Sequence, residues 1–153
     1  MFELTNIENN VTISLEVIGY QFPEQLEDNW CFLSVKVAQG NELFEKTDPA
    51  LEATELVEMY EWFTCLYKRV LPKWAHLTFT EPCISLKFLS YRANTVRIAI
   101  ILDHELKPAF KIDQLGSKNG NWDIVCELSE SHFKSILQCI DTQIQRYPNR
   151  EKC

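Results

Sequence analysis

The chain has 153 residues, a net charge of −7, and 46% hydrophobic side chains, with nine Phe and four Trp among them. Such a composition excludes a disordered chain, and the length suits one domain over 1–153 that can bury roughly 70% of its unfolded surface without a disulfide or a metal. The sign of the charge argues against nucleic acid as a partner.

Charge is unevenly placed. Residues 1–35 hold six carboxylates (Glu3, Glu8, Glu16, Glu24, Glu27 and Asp28) and no Lys or Arg, so −6 of the −7 lies in the first quarter. An acidic surface of this kind favours a basic protein partner, and it also serves solubility. The start, Met1-Phe2-Glu3-Leu4-Thr5, has neither the basic region nor the apolar run of a leader peptide. The longest apolar stretch, Val96–Leu102, includes Arg97 and is too short to span a bilayer. A soluble, cytoplasmic protein without a membrane segment is expected. The six cysteines (Cys31, Cys65, Cys83, Cys126, Cys139 and Cys153) are scattered and form no CxxC. They read as reduced thiols, buried as small hydrophobes apart from a dangling Cys153.

Taken in order, Val11, Ile13, Leu15 and Val17 alternate with Thr12, Ser14 and Glu16, the period of a half-buried strand, and Phe2–Thr5 pairs with it across residues 6–10. Residues 19–29 form a loop with Pro23 and the acids Glu24, Glu27 and Asp28. Trp30–Val37 is the next strand, and Gln39-Gly40-Asn41 turns it into Glu42–Lys46.

Asp48 as N-cap with Pro49 behind it predicts a helix start, with a second possible start at Thr54-Glu55. Leu56, Met59, Tyr60, Phe63, Leu66, Tyr67 and Val70 give that helix an apolar face as far as Pro72. Glu55, Glu58 and Glu61 early and Lys68 and Arg69 late, assigned to its outer face, suit the helix dipole. Strands follow at 76–80, 84–91 and 95–102, then a long polar loop at 103–121 containing Pro108, Gly116 and Gly120. Trp122–Leu128 is the last strand. Ser129 caps a second helix whose Phe133, Ile136, Leu137, Ile140 and Ile144 share a face, ending near Tyr147-Pro148 and leaving a frayed tail at 149–153. The sum is an α+β domain: a mostly antiparallel sheet of seven to eight strands with two amphipathic helices packed on it.

Chemistry is sparse. Asp103-His104-Glu105 could supply a general base at a strand end, with a pocket between the sheet and the 103–121 loop, but no Ser or Cys nucleophile motif accompanies it. His76 and His132 stand alone, so no metal site is expected. Four glycines without a phosphate-cradling motif make a nucleotide cofactor unexpected. What remains is an interaction surface: Glu24, Glu27 and Asp28 on a loop with Trp30 at its edge.

Asp28-Asn29-Trp30, Asp48-Pro49 leading into Glu55-Leu56-Val57 and Trp62-Phe63, Leu77-Thr78-Phe79-Thr80-Glu81-Pro82, Ile84–Phe88, Lys107-Pro108-Ala109-Phe110 and the closing Tyr147-Pro148 together resemble the WapI-like family of bacterial immunity proteins. The resemblance runs along nearly the whole chain, and Phe79-Thr80-Glu81-Pro82 is its most distinctive piece. It implies a small, non-enzymatic cytoplasmic protein that neutralises the C-terminal domain of a polymorphic or contact-dependent toxin, often an RNA-cleaving one, and it supplies no catalytic residues. A toxin of that kind presents a cationic groove, which fits Glu24, Glu27, Asp28 and Trp30 as contact residues. The matched motifs themselves read as scaffold, with the binding surface left to vary.

Overall fold

A computed structural model describes residues 1–112 and 122–150. Residues 113–121 of the expected 103–121 loop, and Cys153, lie outside the described residues. Four strands, β1 (Phe2–Thr5), β2 (Thr12–Tyr20), β3 (Trp30–Gln39) and β4 (Glu42–Glu52), form one antiparallel meander. After α1 (Ala53–Tyr67), strands β5 (His76–Leu77), β6 (Ile84–Tyr91), β7 (Val96–Leu102) and β8 (Trp122–Leu128) form a second, and α2 (Glu130–Arg146) closes the chain. The class is α+β as expected, with the eight strands divided over two sheets.

The sheets meet at Asn6. Its backbone bridges Cys126 of β8, and Ile7 N–H donates to the Val125 carbonyl at 2.9 Å. The Asn6 side chain, 4% exposed, holds the β1–β2 turn: its Oδ1 accepts from the N–H of Asn10 and of Val11, both at 3.0 Å, and its Nδ2 donates to Asn10 Oδ1. Alternation then sends Ile13, Leu15 and Val17 of β2, and Leu33, Val35 and Val37 of β3, to one buried face. Phe63 of α1 meets Phe2 edge to face at 6.3 Å. Leu15 and Leu51 of the first sheet, Leu56 of α1, Ile84 of the second sheet and Ile140 of α2 surround one void of only about 10 Å³, so both sheets and both helices share a closely packed core.

Four local expectations differ from the structure. Asp48 and Pro49 belong to β4, not to a helix start. The β3–β4 register jumps there, Cys31 facing Leu51 and Leu33 facing Asp48, so Pro49 sits in a bulge on an edge strand, where its missing N–H costs no ladder bond. The helix begins instead at Ala53, because Glu55 closes a capping box: its carboxylate accepts from Glu52 N–H at 2.9 Å and, across the chain, from Thr80 N–H at 2.8 Å. Glu55 is consequently buried, not on the outer face, and Phe79-Thr80 of the distinctive motif is scaffold. At the other end α1 stops before Val70, which is exposed: Arg69 takes a left-handed φ of 58°, and Arg69 and Val70 donate back to Leu66 and Cys65 in a Schellman arrangement. The expected strand at 76–80 is only His76–Leu77, since the chain leaves the sheet to bring Thr80 to Glu55.

Asn6→Ala would remove the oxygen that accepts from Asn10 and from the buried Val11 N–H, along with the Nδ2 bond, and a loss of about 2–4 kcal/mol is expected in urea denaturation. A loss below about 1 kcal/mol would show that the junction does not depend on this side chain.

Candidate functional site

The acidic loop is built from its ends inward. Gln21 N–H donates to the Trp30 carbonyl at 2.8 Å and closes the base, while Trp30 N–H donates to Asp28 Oδ1 at 3.0 Å. Inside, Gln25 N–H reaches the Phe22 carbonyl (3.1 Å) and Asp28 N–H the Gln25 carbonyl (2.9 Å), two successive tight turns. Glu24, Glu27 and Asp28 thereby line one open concavity with Gln25 and Leu26. Trp30 does not: it is half-buried at the loop base, opposite Glu52 in the β3–β4 ladder.

What fixes this loop is the end of the chain. Far from fraying, residues 148–150 are docked on it, which corrects the expectation for the part of the tail that is described. Arg150 N–H donates to Asn29 Oδ1 at 2.7 Å and Asn29 Nδ2 returns a bond to the Arg150 carbonyl at 3.2 Å. The Arg150 guanidinium donates to the carbonyls of Pro23 (2.8 Å), Phe22 (3.2 Å) and Asp28, and stacks 3.7 Å from the centre of the Tyr20 ring. Two features of α2 bring it there. A bulge in β2 between Val17 and Gly19 leaves Val17 N–H pointing at Gln143, whose Oε1 accepts it at 2.7 Å, and Tyr147 donates to the Ile18 carbonyl and packs edge to face on Tyr20. Sequence periodicity offers no sign of these bonds, because each joins residues more than a hundred positions apart.

The acids continue past the loop. Ala53 N–H donates to the Asn29 carbonyl at 2.9 Å, so the start of α1 abuts the loop. Burial, and then the neighbouring carboxylates of Glu55, Asp28 and Glu58, hold the Glu52 carboxyl above its usual range. Glu58 and Glu61 follow on the exposed side of α1, giving an acidic strip from Glu24 to Glu61 on which a positive charge would be welcome.

A family model described as the Immunity protein WapI-like family matches residues 3–148. The chain belongs to that family. No curated protein and no solved structure matches it. Membership gives the chain an immunity function, and the quoted motifs fall within the matched span.

His104 is exposed at the start of a short 3-10 turn (His104–Leu106), with φ 48°, and its Nε2 lies 4.0 Å from Asp103 Oδ2 while Asp103 caps its N–H. His132 Nδ1 accepts from Ser129 N–H at 2.9 Å and so caps α2. Among the described residues no three His, Cys, Asp or Glu side chains group as metal ligands, and no helix is long and apolar enough to cross a membrane. The five cysteines among the described residues are free; burial pushes Cys31 up to about 11 and Cys126 up to about 12, whereas Cys65 and Cys139 are half-buried rather than buried.

If Arg150 fastens the loop, Arg150→Ala should speed amide exchange at Gln25 and Asp28 by about tenfold or more, each lost charged bond being worth about 1.5–3 kcal/mol. Amides within α1 and α2 should keep their protection. Unchanged exchange in the loop would contradict the assignment.

Proposed function

We propose that this chain is the cytoplasmic antidote to the C-terminal domain of a bacterial polymorphic or contact-dependent toxin, one that cleaves RNA, and that it neutralises that domain by binding alone, without chemistry of its own. The observation that carries the reading is the family match over residues 3–148, joined to an acidic loop held in shape by the chain's own end. A ribonuclease must draw phosphates into a cationic groove, and an acidic surface that occupies the groove competes with them directly. Glu24, Glu27 and Asp28 are the proposed contact residues, with Trp30 at the margin. Their loop is already ordered by Arg150 and Asn29, so binding loses little conformational entropy. A standard interface of about 800 Å² per partner is close to a tenth of the 8798 Å² surface, which the loop and the exposed side of α1 can supply.

The test is co-expression with the toxin domain encoded immediately upstream. Host rescue and a co-purifying complex are expected, whereas a folded chain that neither rescues nor binds would defeat the proposal. Within such a complex, the combined change Glu24→Gln, Glu27→Gln and Asp28→Asn should weaken binding by roughly 10- to 100-fold at low salt and flatten its salt dependence. Affinity and salt slope both unchanged would remove the loop from the interface while leaving the immunity function standing.

A further inference from the structure

Where α1 ends, the chain builds a groove that the acidic loop does not account for. The left-handed Arg69 turns the chain back beside the helix; its guanidinium lies 4.9 Å from the centre of the Tyr91 ring and donates to the Arg92 carbonyl, which holds the turn in place of the usual glycine. Returning along α1, the backbone carbonyl of Trp74 accepts from the buried Trp62 Nε1–H at 2.9 Å. The Trp74 backbone is therefore fixed while its side chain remains on the surface, 61% exposed, beside Leu71 at 72%. Trp62, Trp74 and Leu77 form apolar walls, and Glu58 and Glu61 stand at the rim with Lys73.

We propose that this groove receives an arginine side chain of the cationic toxin domain. The proposal rests on the immunity reading and extends the acidic strip to a specific anchor. Volume decides the class of occupant: about 230 Å³ falls below the roughly 300–1,000 Å³ of small-molecule sites and suits one long side chain. Charge decides its sign, since two carboxylates at i and i+3 on α1 outnumber the one ammonium. The chain already shows what the indole accepts, because Lys73 Nζ lies 5.6 Å from the centre of the Trp74 ring, within cation–π range. Geometry favours arginine over lysine: a planar guanidinium stacks on the indole and still directs paired N–H groups at a carboxylate. An exposed Trp with a fixed backbone has few rotamers to lose, the property of an interface anchor.

Two measurements test this. Trp74→Ala and the double change Glu58→Gln with Glu61→Gln alter surface side chains only, and the Trp62 bond to the residue-74 carbonyl survives both. Each should weaken the toxin-domain complex by about 30-fold, the size of an anchor residue, and a loss under about tenfold overturns the proposal. For the protein alone, N-acetyl-arginine amide should shift the indole N–H resonances of Trp62 and Trp74, and the shifts should vanish in the double Gln variant. No shift overturns the groove even if the toxin domain binds. Shifts without any toxin binding would support the groove and place the failure in the immunity reading.

Discussion

The side chain of Asn6 lies where the two sheets meet, and the shared core depends on that junction. Side chains of both four-stranded meanders and of α1 and α2 form one core, so each meander buries its apolar side against the rest. The bridge from Asn6 to Cys126 and the bond from Ile7 to Val125 fix that approach. A buried amide is costly unless its polar atoms are satisfied, and here the turn at residues 6–11 satisfies them, with Asn9 in the left-handed region that Asn tolerates well. Asn6 thus closes a hairpin with its side chain and joins two sheets through its backbone.

From that frame, order passes to the surface through α2. Its apolar stripe contains one polar member, Gln143, and this residue resolves the bulge in β2 by accepting the Val17 N–H. Tyr147 and Arg150 then extend the docking past the helix end onto Tyr20 and the loop at residues 22–29. A loop of small turns and carboxylates would by itself be mobile and self-repelling. Three guanidinium bonds to its carbonyls set a positive charge against it, while Glu24 and Glu27 stay exposed and Asp28 is half-buried. The resulting surface is acidic, rigid and adjacent to α1, a combination suited to covering a cationic partner.

Much of this was legible in the residues, and the rest was not for identifiable reasons. The strands at 84–91 and 122–128 and the helix after Ser129 emerge at their true boundaries because alternation, turn residues and a cap agree locally. Asp48-Pro49 misleads because a proline in an edge-strand bulge carries the same local signal as a proline at a helix start. Glu55 looks like a surface acid, and its burial follows only from the distant Thr80 N–H. The tail looks disordered for the same reason: its partners at residues 20–29 are near in space and remote in sequence. For the candidate surface, the sequence indicates the acids Glu24, Glu27 and Asp28 but not the arginine that arrays them, nor Trp74, which periodicity leaves outside any element.

The most direct test is a hydrogen-exchange footprint of the chain bound to the toxin domain that it is proposed to neutralise. New protection is expected over residues 22–30, the exposed side of α1 and residues 70–75, with the outer face of α2 unchanged. Protection confined to α2, or to the exposed edge of β4 at residues 42–47, would show that the toxin domain is held by a different surface and that the acidic strip serves only solubility.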